Sequence, residues 1–159
     1  MSELDAYHEA GHAFLAIHLG ARVRYVTIQP DRDEGPARSG ATQIEWPRRR
    51  LTERQLRENA VLVALAGPVA EALYDGQPYH PGFVAEWAAD WQLAWDAAAE
   101  LVPQERRRLA HLEQVTAHLY RWLNRDSPWA AIAALADHLL AHETLEEEEV
   151  RDIIRPWLG

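Results

Sequence analysis

Asp5-Ala6-Tyr7-His8-Glu9-Ala10-Gly11-His12-Ala13-Phe14-Leu15-Ala16-Ile17-His18-Leu19-Gly20 is the stretch on which the reading of this chain turns. Apolar residues recur from Leu4 to Leu19 as they would on a helix of about five turns, and Gly20 is a natural stop. On that helix His8 and His12 stand one turn apart on one face, so their ring nitrogens can converge on one metal ion with Glu9 beside it. This is the HExxH arrangement, which a chain of this composition contains by chance only about 0.04 times. Zinc held by two neutral imidazoles and a third ligand keeps a position for water, brings the pKa of that water to about 7 and polarises a peptide carbonyl. Glu9 is then placed to take the proton from the attacking water and pass it to the leaving amine. Gly11 costs the helix about 1 kcal/mol relative to alanine. It is expected to let something approach the backbone closely beside the metal.

The whole chain narrows the possibilities. Its 159 residues, 48% of them hydrophobic, are enough for one domain over 1–159 with a real core. A net charge of −9 argues against a nucleic-acid partner, and Arg48-Arg49-Arg50 and Arg106-Arg107-Arg108 read as solvated clusters. There is no cysteine, so any metal must be held by histidines and carboxylates, and a reducing, cytoplasmic setting fits. The longest apolar stretch, Ala60 to Ala70, is far short of the roughly 20 residues that cross a bilayer. No signal-like segment opens the chain, so a soluble protein without a membrane span is expected. The absence of lysine removes any Walker-type phosphate loop, and with it ATP hydrolysis by this chain.

After the first helix, Arg22 to Pro30 is rich in β-branched and aromatic residues and reads as a strand. Asp31 to Gly40 reads as a polar loop, and Ala41 to Trp46 as a second strand stopped by Pro47, giving a small antiparallel sheet. Thr52 with Gln55 makes a capping box for a helix running toward Tyr74, which Pro68 should kink or divide near Gly67. A turn-rich loop from Asp75 to Gly82 leads to an Ala/Trp-rich helix from Phe83 to about Val102. Pro103 should sit near the start of the next helix, and Ser127-Pro128 should cap and open another. Thr144 should begin a last short helix, with four consecutive Glu where its dipole favours negative charge. The expected fold is mainly α, a helical zinc-peptidase domain with a small antiparallel sheet inserted after the HExxH helix.

Two histidines need a third partner. His18 has the spacing of an extended HExxHxxGxxH motif, but Leu15 stands where glycine must turn the chain, so the helix continues and carries His18 about 240° from His12. His18 therefore reads as an ordinary helix histidine. Glu71, on the helix that follows the sheet, is the second candidate and could instead orient a ligating histidine. Asp90 is the third. It lies among Trp87, Ala88, Ala89, Trp91 and Ala94, where a carboxylate needs a cation or hydrogen bonds. Composition favours Asp90 over Glu71 and leaves both open.

Several segments in order, Ala6 to Ala13, Val26-Thr-Ile-Gln-Pro30, Leu65-Ala-Gly-Pro-Val-Ala-Glu-Ala-Leu73, Ala89-Asp90 with Ala94 and Ala98, and Glu143 to Val150, resemble the peptidase domain of FtsH-type proteases. The resemblance spans nearly the whole chain. It implies zinc ligands at His8, His12 and Asp90, the base at Glu9 and a supporting role for Glu71. It also implies that Gly40, Ala41, Thr42, Gln43 and Ile44 form a sheet edge holding an extended peptide, a mode that reads backbone more than sequence. Pro68 replaces the family's usual arginine, and Val84 to Ala89 replaces its Thr-Gly-Ala-Ser-Asn approach to the ligand aspartate. FtsH proteins carry an ATPase module and membrane anchors that are not in this sequence. A homo-oligomer and a separate ATPase are the associations that the resemblance leaves open.

Two functions follow as expectations. One is a zinc endopeptidase that cuts unfolded or flexible polypeptides. The other is a catalytically silent metal-binding module whose Trp-rich surface, with Trp87, Trp91 and Trp95 at successive turns, binds a protein partner.

Overall fold

In the computed structural model, which describes residues 3–29, 41–76 and 80–158, the HExxH segment forms helix α1, Glu3–His18. The chain leaves that helix at Gly20, whose φ of +94° lies in the left-handed region that glycine enters without strain. Strand β1, Arg22–Thr27, then pairs antiparallel with β2, Ala41–Glu45, with Val26 opposite Thr42 and a bulge between Val23 and Tyr25. The expected loop from Asp31 to Gly40 lies outside the described residues, and so does Gly40 as an edge residue.

Helix α2, Glu53–Asp75, opens on the expected capping box: Thr52 accepts from the Gln55 backbone while the Gln55 side chain accepts from the Thr52 backbone. It closes on Gly76, with φ at +78°. Pro68 does not divide it. The proline sits in a stretch, Val63 to Ala70, that is buried throughout, and packing of that stretch offsets the one backbone hydrogen bond the ring removes. The packing partner is α1. A β-carbon on Gly11 would lie 2.6 Å from the Ala66 carbonyl oxygen and 2.7 Å from Ala70 Cβ, so what approaches the Gly11 backbone is α2 itself.

The Ala/Trp helix is shorter than its composition suggests. Two 3-10 turns, Pro81–Phe83 and Ala85–Trp87, precede helix α3, Ala88–Ala98. Helix α4, Glu105–Leu123, starts just beyond Pro103. Helix α5, Asp126–His142, starts earlier than Ser127 suggests, with Arg125 at the cap. Ser127 and Pro128 sit inside its first turn, where a missing N–H costs nothing because those donors have no helical partner.

The chain's end departs most from expectation. Thr144–Glu146 is not helical but a third strand, β3, pairing antiparallel with β1 so that Leu145 faces Val26 and the sheet order is β2-β1-β3. Helix α6, Glu147–Ile154, begins only after it, with Glu146 and Glu149 forming its capping box. The architecture is thus mainly α with a small antiparallel sheet. One core, including Phe14, Leu15, Val26, Leu65, Leu135 and Leu145, lies between α1, the sheet, α2 and α5. Among the described residues no helix is long and apolar enough to cross a membrane.

Candidate metal centre

Three side chains from two helices meet at the α1–α2–α3 junction. His8 Nε2 lies 2.8 Å from Asp90 Oδ2, His12 Nε2 lies 3.4 Å from Asp90 Oδ1, and the two Nε2 atoms are 3.1 Å apart. Two ligands of one tetrahedral zinc, each at about 2.0–2.1 Å, stand about 3.3 Å apart. The observed separations, taken over both carboxylate oxygens, run from 2.8 to 3.4 Å, and with one ligand atom per residue all three lie within 4.8 Å of one another. The donor set suits zinc, so His8, His12 and Asp90 are the residues that could hold a metal.

The environment of each of these side chains orients it. His12 Nδ1 donates to the Val63 carbonyl oxygen at 2.7 Å, which places its proton there and turns the Nε2 lone pair into the site. The ring is 7% exposed and lies against Gly67, where a β-carbon would stand 2.3 Å from Nε2. His8 Nδ1 faces Glu71 Oε1 at 3.2 Å, and Glu71 Oε2 accepts from the indole Nε1–H of Trp87 at 2.8 Å. Glu71 therefore stands behind His8 instead of beside Asp90. Asp90 occupies the first turn of α3 and is 7% exposed.

A buried carboxylate needs compensation, and protons supply it when no metal does. Burial works against a charge on His8, but Asp90 and Glu71 outweigh it and raise its pKa to about 10. Burial also opposes charge on His12, and Asp90 again raises it. Asp90, despite burial, is held far below the usual carboxylate range by the two imidazoles. The same negative field would attract a divalent cation.

Glu9, on α1 between the two histidines, is 9% exposed and accepts a 2.8 Å hydrogen bond at Oε1 from the Thr42 hydroxyl of β2. That bond sets the sheet edge alongside the centre. Among the described residues β2 pairs only with β1, so its outer edge keeps open backbone donors and acceptors. The edge forms one wall of a cleft of about 800 Å³. Ala41, Thr42 and Ile44 line it, as do His8, Glu9, His12, Glu71 and Asp90. Gln43, the remaining described edge residue, is exposed. The apolar part of the lining also includes Ala60, Val63, Ala64, Leu93 and Ala97.

His18 is far from this role, packing its ring against Trp122 at 4.7 Å. The three tryptophans do not form an open stripe. Trp87 is 2% exposed, and Trp91 and Trp95 are half-buried against the core, Trp95 beneath the Arg108 guanidinium. Sequence reasoning missed Gly67, the Val63 carbonyl, the Trp87 indole and the Thr42–Glu9 bond. Of these, the sequence marked Gly67 alone, and only as the place of a kink at Pro68.

Fold and site together define a helical domain with a His/His/Asp centre at the floor of a cleft bordered by a sheet edge. The chain matches no family model and no curated protein sequence.

Proposed function

We propose that the protein is a zinc-dependent endopeptidase of the FtsH type that cuts unfolded or flexible polypeptides. The observation that carries this reading is the meeting of His8, His12 and Asp90, whose ligand atoms all lie within 4.8 Å of one another, with Glu9 beside them. Zinc bound there would supply the Lewis acidity that activates water and polarises the scissile carbonyl. The chain's own residues do the rest. An extended peptide adds to the outer edge of β2, which fixes its backbone by main-chain hydrogen bonds and admits many sequences. Its side chains on one face meet the apolar wall of Ala60, Val63, Ala64 and Leu93. Thr42 holds Glu9 Oε1, which leaves the other oxygen to take the proton from the attacking water. Glu9 then returns that proton to the leaving amine as the C–N bond breaks, so one water is consumed per peptide bond.

The test is cleavage of casein by zinc-loaded wild type and Glu9→Gln. Loss of general-base catalysis should lower the rate by about 10²–10⁴-fold while zinc stays bound. Equal rates would overturn the reading.

A further inference from the structure

We infer that Trp87 is a positioning residue for the metal centre, acting through Glu71 on His8 and through the start of α3 on Asp90; this rests on the metal-binding reading above. Its indole Nε1–H is the donor in a 2.8 Å bond to Glu71 Oε2, and the ring is almost wholly buried. The same carboxylate presents Oε1 to His8 Nδ1 at 3.2 Å. His8 Nδ1 is buried, and Glu71 Oε1 is the acceptor set within its reach.

A ligating histidine works best when its second nitrogen donates to a fixed carboxylate, because that bond settles the tautomer and the ring plane and raises the basicity of the ligating nitrogen. An unanchored glutamate would lose that effect to its own rotamer freedom. Trp87 removes the freedom from one oxygen and leaves the other for His8.

The second arm of the argument is backbone. Trp87 ends the 3-10 turn Ala85–Trp87 and caps α3 with φ −105° and ψ 6°. Asp90 follows three residues later, in the first helical turn. One indole N–H therefore ties the segment that carries Asp90 to the helix that carries Glu71, and the two helices supply both supports of the His8–Asp90 contact.

The experiment is zinc affinity, measured by chelator competition on wild type, Trp87→Phe, Glu71→Gln and the double variant. Far-UV circular dichroism and melting of each metal-free protein serve as controls. Trp87→Phe should weaken zinc about 10–100-fold, and should weaken it less when Glu71→Gln is already present, because the neutral amide oxygen is the poorer acceptor. Unchanged affinity in Trp87→Phe, or an equal loss in both backgrounds, overturns the inference and leaves the metal reading standing. A wild type that binds no zinc overturns both. If Trp87→Phe does not fold, the assigned indole N–H resonance of Trp87 decides: it should move upfield in Glu71→Gln, and an unmoved resonance overturns the inference.

Discussion

The imidazole of His12 fills the space above Gly67 so closely that a β-carbon at position 67 would stand 2.3 Å from Nε2 and 2.5 Å from Cε1. Both atoms belong to a ring held from behind by the Val63 carbonyl, so it cannot yield without breaking a 2.7 Å hydrogen bond. Gly67→Ala should therefore displace the His12 ring, although alanine is the better helix former, and on the proposed metal reading it should weaken zinc binding. Zinc affinity should fall at least about 100-fold and stability by about 1–3 kcal/mol, the usual cost of overpacking. Chelator competition and thermal melting check the two effects separately.

Proton competition sets the second expectation. In the metal-free chain the His8 pKa is raised to about 10, so the stabilisation from its charged form is fully present below its ordinary value of 6.5 and is lost as pH rises through about 10. Asp90 runs the other way: its contribution is present above its ordinary value of 3.8 and is lost only as pH falls through the lowered one. Metal must displace the His8 proton, so binding near neutral pH should release at least one proton per ion. Affinity should rise about tenfold or more per pH unit between about pH 6 and 8. Calorimetry in buffers of different ionisation enthalpy reads the release directly, and a pH-independent affinity would contradict it.

The Thr42 hydroxyl offers a change confined to the base. Thr42→Val keeps the shape and the β-branched preference for a strand but removes the 2.8 Å hydrogen bond to Glu9 Oε1. A hydrogen bond to a charged group is worth about 1.5–3 kcal/mol. On the proposed mechanism, kcat on a casein substrate should fall about 10-fold or more while zinc content stays at the wild-type level. An unchanged kcat would mean that Glu9 is positioned without β2.

How much of this was legible depends on where each feature's cause lies. The α1 helix, its Gly20 stop and the Thr52–Gln55 box rest on neighbours within four residues, and local spacing displays them. Asp90 was visible because a carboxylate on an otherwise small and aromatic face demands a partner, although composition alone left Glu71 in contention. The resemblance implied the ligand place for Asp90 and a supporting one for Glu71, and in three dimensions Asp90 reaches both imidazoles whereas Glu71 meets the far nitrogen of His8. Strand β3 was hidden because its last residue, Glu146, opens an acidic run that is itself a strong helix start. Its strand character comes from β1, more than a hundred residues earlier, including the Thr27–Thr144 hydroxyl contact at 2.8 Å. Gly67 raised only the question of a kink at Pro68. The ring that needs its missing side chain belongs to another helix.

Leu93 supplies the last expectation, because it is 55% exposed although it lines the cleft that β2 borders. An aliphatic side chain that open contributes little to folding, and substitution there should change stability by no more than about 0.5 kcal/mol. Its apolar surface is instead available to whatever occupies the cleft. The cleft also carries Asp5, Glu86 and Asp96, and its arginine, Arg57, is already paired with Glu100 at 3.0 Å. Leu93→Asp should therefore act twice on a peptide lying along β2, removing apolar contact and adding a like charge against any acidic residue. On the proposed activity, KM for a neutral apolar peptide should rise about 10-fold, the loss of about 1.4 kcal/mol of binding, with kcat and zinc content held. If kcat fell instead and KM did not move, Leu93 would lie away from the path of the substrate, and the peptide would have to be placed on a different wall.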